Sequence, residues 1–180
     1  MGRIEEILSK CCIWRINILK ILITIGSMVE KKFTRLFKII DELCEEGILE
    51  GKDIIAQVGN DGYKSKNFKG FEMISDGEFK EIIKNSDLII THAGTGTVSA
   101  CLKSNKKVII FPRLYKYDEH YDNHQLELAD MFVKNKYVLC ATNKEELIKC
   151  INKIDIFSPA KFISNNKSIN NIIINYIEED

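Results

Sequence analysis

The chain has 180 residues, 45% hydrophobic and 29% charged, with only two prolines. That profile describes a soluble globular protein with a proper core and excludes a fibre or a disordered chain. Lys plus Arg and Asp plus Glu balance at 26 each, so no broad basic field draws it to nucleic acid.

Residues 1–18 stand apart as an amphipathic extension. Ile4, Ile7, Leu8, Cys11 and Ile16 share a helical face, and Arg3, Lys10 and Arg15 outweigh Glu5 and Glu6. Such a helix suits a partner or an anionic membrane surface, or simply caps the domain. No uncharged apolar run reaches the roughly 18 residues of a membrane span, and no small-residue cleavage site marks a signal peptide. The six cysteines form no CxxC unit, which fits a reducing, cytoplasmic setting. Cys44, Cys101 and Cys150 fall on apolar helical positions, where a thiol acts as a small hydrophobe.

Ile21–Ile25 reads as a buried strand closed by Gly26-Ser27. Phe33, Leu36, Phe37, Ile40 and Leu43 follow helical spacing up to a stop at Gly47. Strands are expected at Asp53–Val58 and Phe71–Ile74, then a helix bearing Phe79, Ile82 and Ile83. Asp87–Thr91 is the next strand, with a helix beginning near Thr95. Lys107–Phe111 is a strand halted by Pro112, and a helix runs from about Asn123. Tyr137–Cys140 is the last strand; Thr142 and Glu145 suggest a capping box for the helix carrying Leu147, Ile148 and Ile151. A polar break at Ser164–Ser168 precedes a final helix with Ile169, Ile172, Ile173 and Ile177.

This alternation predicts an α/β fold, a mainly parallel sheet with helices on both faces. Ligands in such sheets sit beyond the carboxyl ends of the strands, where the strand order reverses. The glycine-bearing loops all follow strands and should meet on that edge. Asp87, at the opposite edge, is expected to be structural, and Arg35 a solvated position.

Thr91-His-Ala-Gly-Thr-Gly-Thr97 is the most informative segment. Gly94 and Gly96 allow close backbone approach, and the helix that follows offers free N–H groups and a positive dipole end to an anion. The spacing matches neither a Walker loop nor GxGxxG, so an ordinary tight turn stays open. Two of the three histidines, His120 and His124, lie in the polar Arg113–Gln125 loop, and the third is His92. His120, His124 and Asp122 or Glu119 offer metal-ligand chemistry without an HExxH pattern. Gln57 and Gly59 close another strand: Gly59 for backbone approach, Gln57 either to bind ligand or to hydrogen-bond neighbouring loops.

Ile23–Ser27, Phe33–Leu36, Ile40–Leu43, Ala56–Gly59, Asp87–Gly96 and Asp122–Ala129 together resemble the C-terminal domain of the family 28 glycosyltransferases. Within it they are most similar to small bacterial capsular or exopolysaccharide subunits and to the catalytic subunit of the eukaryotic dolichol-linked N-acetylglucosamine transferase. The resemblance covers roughly 19–155. It implies a Rossmann-like, nucleotide-sugar donor-binding half of a GT-B fold, with 156–180 as a C-terminal helical segment packed on it.

It further implies a UDP-sugar donor, no cofactor, no metal, and hexose transfer with inversion to a lipid-linked saccharide acceptor. A membrane-associated acceptor-binding subunit would recruit the chain to the inner face of the cell membrane. By the same resemblance Gly94, Thr95, Gly96 and Thr97 cradle the diphosphate, Gly26 and Ser27 line its other side, and Gln57 and Gly59 lie nearby. Gln125, with Asn123, would meet the sugar hydroxyls; His124 belongs to the His-Gln pair and His92 supports the site or approaches the pyrophosphate. Ala100 stands where many members carry a ribose-binding glutamate. A non-catalytic nucleotide-sugar-binding regulator or scaffold, and an unrelated enzyme that converts the free donor, are the competing readings.

Overall fold

The structure, a computed structural model, describes residues 19–26 and 30–162. The expectations for residues 1–18, for Ser27 and for the helix around Ile169–Ile177 lie outside the described residues.

Short runs of branched residues buried on both sides suit a parallel sheet between two helical layers. They form β1 (Ile21–Thr24), β2 (Ile54–Gln57), β4 (Leu88–Thr91) and β5 (Lys107–Ile110), flanked by the shorter β3 (Lys69–Phe71) and β6 (Leu139–Cys140). All pair in parallel, in the order β3-β2-β1-β4-β5-β6. The helices are α1 (Thr34–Glu45), α2 (Asp76–Asn85), α3 (Thr95–Lys103), α4 (His124–Lys134) and α5 (Lys144–Lys153).

Successive strand residues point to opposite faces, and this divides the core in two. Ile21, Ile23, Ile90 and Ile109 pack with Leu36, Phe37 and Ile40 of α1 and Leu147 and Ile151 of α5. Leu22, Ile89, Val108 and Ile110 pack with Ile83 of α2, Val98 and Leu102 of α3 and Phe132 of α4. Gly47, at φ +70, ends α1: Ile48 N–H donates to Leu43 O at 2.9 Å and Gly47 N–H to Cys44 O at 3.1 Å, the Schellman arrangement that a left-handed residue permits.

Two local expectations are corrected. β3 overlaps the expected Phe71–Ile74 at Phe71 alone, because Ser75 already caps α2 and the chain must turn after Phe71. The α5 cap is one residue later than expected. Asn143, extended at φ −145, accepts the Glu146 N–H at 2.9 Å, and the Glu146 carboxylate accepts from Thr142 N–H at 2.7 Å. Beyond α5, residues 157–162 are not helical; Ala160 N–H donates to Lys136 O and Phe162 packs edge-on against Tyr137.

Candidate functional site

The strand order reverses between β1 and β4, so their carboxyl ends open the crevice where doubly wound sheets bind ligands. Thr24 is in register with both Gln57 and Thr91, and these polar residues close three apolar strands in one buried row. Thr24 Oγ1 donates to Gln57 Oε1 at 2.7 Å, and Gln57 Nε2 donates to Met73 Sδ at 3.5 Å. Gln57 thus braces the strand ends.

Gly26, His92 and Gly94 form one packed unit above that row. A Cβ built on Gly26 would lie 2.5 Å from His92 Cε1, and one on Gly94 would lie 2.2 Å from His92 Nε2. The imidazole therefore fills space that only two glycines leave free. Gly26 also holds φ +72, a left-handed conformation. Gly59, at φ +51, approaches it from β2, its added Cβ 3.4 Å from Gly26 O.

Burial and then the Arg113 charge push His92 down to about 4, against a hydrogen bond with the Thr24 backbone. The ring is neutral at physiological pH. An unfolded chain binds this proton near 6.5, the folded site only near 4. The stability that His92 contributes is thus fully present above 6.5 and is lost as pH falls toward 4. Denaturant unfolding of the wild type should weaken across that window, and His92→Ala should weaken less steeply.

Directly beyond Gly94, α3 begins without a side-chain cap and without an acidic residue in its first turn. Thr95 and Gly96 are exposed and Thr97 half-buried. By contrast α2 has a full capping box, α5 has Asn143, and at α1 Asp61 takes the Phe33 N–H at 2.6 Å. The first turn of α3 keeps its N–H groups and positive dipole end open at the crevice, which favours an anion.

The loop after β5 is built from the inside. Gln125 is 5% exposed, and its Oε1 accepts from Ala93 N–H at 3.3 Å and Arg113 N–H at 3.0 Å, tying the β4 and β5 loops together. Asn123 Oδ1 accepts from Tyr115 N–H at 3.4 Å and so holds the loop. His124 points outward, with Nδ1 3.5 Å from Glu127, while His120 Nδ1 lies 2.9 Å from Asp122. His92, His124 and Gln125 therefore do not form one hydrogen-bonded constellation. Among the described residues no cluster of His, Cys, Asp and Glu is set to hold a metal.

Gln125→Ala would leave two buried N–H groups without their acceptor, at about 1–3 kcal/mol each. Gln125→Glu keeps an acceptor at the same place. Urea unfolding should therefore show a loss of about 2–6 kcal/mol for the alanine variant and a clearly smaller one for the glutamate.

Arg35 is a correction: it is not solvated. It grips Glu119 with two hydrogen bonds of 2.8 Å, donates to Thr142 O at 2.7 Å and Pro112 O at 3.1 Å, and lies over the Phe111 ring. Glu119 is itself buried and also accepts from Leu114 N–H at 3.0 Å. Arg113, fully buried, was not singled out from the sequence; its position directly after Pro112, at a strand end, was the available signal. A groove of about 620 Å³ lies between α1 and the Tyr115–Tyr117 turn. Its Arg35 and Glu119 are spent on each other and its other charges are of both signs, so the uncapped α3 turn is the better anion seat. Asp87 accepts from the Lys20 N–H at 2.9 Å at the amino edge, a structural role as expected.

Among curated proteins, the chain is 34% identical over 100 residues to the UDP-N-acetylglucosamine transferase subunit ALG13 of Candida albicans, covering 56% of this chain and 32% of that one. It is 39% identical over 85 residues to ALG13 of Kluyveromyces lactis, covering 47% and 41%. The matched stretch thus spans a third to less than half of the length of these relatives. The solution structure of ALG13 superposes with a TM-score of 0.55 at 22% identity, covering 88% of this chain and 96% of that one. The glycosyltransferase of kitacinnamycin also gives 0.55, at 13% identity, covering 75% of this chain but 34% of that one. The fold is that of a Rossmann-like half of a GT-B glycosyltransferase. The family model for the glycosyltransferase family 28 C-terminal domain matches residues 20–175, past the boundary near 155 read from the motifs, and the chain belongs to that family.

Proposed function

We propose that this chain is the donor-binding, catalytic subunit of a hexosyltransferase that moves a sugar from a UDP-sugar to a lipid-linked saccharide. The observation that carries this reading is the uncapped first turn of α3 at the β1/β4 crevice. Departure of the diphosphate concentrates negative charge, and fixed N–H dipoles stabilise it without a metal. Gly94–Thr97 hold the diphosphate, Gly26 faces it, and Gln57 and Gly59 support that wall. Gln125 Nε2 and Asn123 meet the sugar, with His124 at the mouth. Relatives named as UDP-N-acetylglucosamine transferase subunits make UDP-N-acetylglucosamine the first donor to test.

Inverting transfer needs a base for the acceptor hydroxyl. An imidazole held near 4 is a weak one, so His92 lines the seat and the base comes from the other half. The word subunit in the relatives' names, and the one-third share of a larger transferase that this fold matches, support a separate membrane-associated acceptor-binding partner. In this reading 19–155 is the donor domain, 1–18 an extension and 156–180 a terminal segment. The chain works in the cytoplasm at the inner face of the membrane. Glu119 and His120, which also fit the pattern of the small bacterial subunits, make capsular or exopolysaccharide synthesis the proposed setting.

The test is a reconstituted assay with membranes carrying the partner, a lipid-linked acceptor and labelled donors. Transfer that requires both proteins is expected. Donor binding without turnover beside the partner would make the chain a regulatory subunit, and conversion of free donor without acceptor would make it a different enzyme.

A further inference from the structure

Arg113 is fully buried, yet no carboxylate touches its guanidinium among the described residues; the Glu119 carboxylate is turned to Arg35. Its partners are backbone carbonyls. Nη2 donates to Ile25 O at 3.0 Å, and Nη1 donates to Lys31 O at 2.9 Å and to Glu119 O at 3.3 Å. Nε is buried without an acceptor among the described residues. Phe33 lies against the guanidinium, with the ring centroid 4.7 Å away.

Ile25 and Lys31 bracket the loop that leaves β1, the loop that contains Gly26. One planar fork therefore ties Ile25 to Lys31 beside Gly26, which shares the His92 ring with Gly94 at the start of the α3 turn. A second link runs through Gln125, whose Oε1 takes the Arg113 N–H and the Ala93 N–H beside that same turn. The side chain of Arg113 fixes one wall of the crevice and its backbone is tied to the other. The Glu119 and Asp61 charges offset the burial of this cation only in part; an anionic ligand in the crevice would offset more of it through the low-dielectric interior.

We infer that Arg113 is the positioning residue of the diphosphate seat: it clamps the β1 loop at Ile25 and Lys31 against the α3 turn and supplies the buried positive charge that a nucleoside diphosphate complements. This rests on the reading of the crevice as a nucleotide-sugar site. Burial lowers the guanidinium only to about 10, so it stays charged at neutral pH. Lysine is not an equivalent here, because one ammonium on a flexible stem has no fork to hold two carbonyls at once.

The experiment compares UDP and uridine binding by calorimetry in the full chain for the wild type, Arg113→Lys and Arg113→Gln, with unfolding followed alongside. UDP affinity is expected to fall by about tenfold or more in both variants, while uridine affinity changes by less than about twofold. Wild-type affinity in Arg113→Lys would overturn the clamp; equal losses for UDP and uridine would reduce Arg113 to a general fold residue. If the variants do not fold, the Nε–H resonance of Arg113 in the wild type decides. A shift on adding UDP but not uridine supports the inference, and no shift with UDP bound overturns it. Failure of the wild type to bind UDP at all would instead overturn the nucleotide reading on which it rests.

Discussion

Gly94→Ala should disable the crevice, and removal of the His92 ring should restore it sterically. Backbone conformation is not the obstacle, since Gly94 sits at φ −72 and ψ 118, which alanine adopts readily. The obstacle is the imidazole, with Nε2 2.2 Å and Cε1 2.8 Å from the new Cβ. Either the ring or the turn that opens α3 must move, at an overpacking cost of about 1–3 kcal/mol. A displaced turn no longer aims its N–H groups where the diphosphate would sit, so UDP affinity should drop along with stability. In Gly26→Ala the same ring blocks the Cβ, at 2.5 Å, and the left-handed φ of +72 adds strain of about 1–2 kcal/mol. Double-mutant cycles separate the two terms. Combined with His92→Ala, Gly94→Ala should lose most of its penalty, whereas Gly26→Ala should keep the strain component. Denaturant unfolding of the three single and two double variants beside the wild type measures this. Additive penalties for Gly94→Ala and His92→Ala would show that the ring and the glycine are not the packed pair that the geometry describes.

The layered sheet was legible because each buried strand had to be a short branched run between glycine-bearing loops. Ile21–Thr24, Leu88–Thr91 and Lys107–Ile110 fall within the stretches read as strands. Errors came where several polar residues competed for one local task. At α5, Thr142, Asn143, Glu145 and Glu146 all carry capping chemistry, and only backbone geometry selects Asn143 with Glu146. Of the Phe71–Ile74 run only Phe71 stays in the strand, the rest going to the turn that Ser75 needs in order to cap α2.

At the crevice, glycines were readable because their chemistry is local: a turn needs them wherever the partner lies. Long-range polar ties were not. Nothing near Arg35 in sequence tells that Glu119 will meet it, and helical periodicity assigns such a position to solvent. Gln125 could be singled out, yet its use as a brace between Ala93 and Arg113 depends on two loops meeting at the carboxyl edge. Thr24 and Thr91 carry a fainter signal, each a hydroxyl at the end of an apolar strand, and only the register with Gln57 turns them into a row.

Removal of the Glu119 carboxylate should be the most damaging change on this edge. Arg35 would keep its carbonyl partners, Thr142 and Pro112, but lose both charge-assisted bonds, and Leu114 N–H would lose its acceptor. Breaking a buried ion pair from one side strands the other charge, at about 3–5 kcal/mol. Glu119→Ala is therefore expected to lose that much in urea unfolding. Glu119→Gln should lose less, because an amide oxygen still accepts from Leu114 or Arg35. The effect should change little with added salt, since the pair is removed from solvent; Arg35 and Glu119 side chains are 17% and 4% exposed. Lys144 gives the contrast. It bridges Glu42 and Glu46 at 2.8 and 2.7 Å on the surface, where both carboxylates are about half exposed, so Lys144→Ala should cost little and salt should erase most of it. Arg35 joins α1 to the ends of β5 and β6 through Pro112 O and Thr142 O, and the Glu119 carboxylate ties its guanidinium to the Leu114 N–H. Glu119→Ala should therefore also loosen the Pro112–Leu114 backbone that leads into Gln125. Hydrogen exchange at Leu114 and Arg113 amides should rise in that variant and stay at wild-type rates in Lys144→Ala; unchanged protection at Leu114 would mean that the carboxylate does not hold the loop.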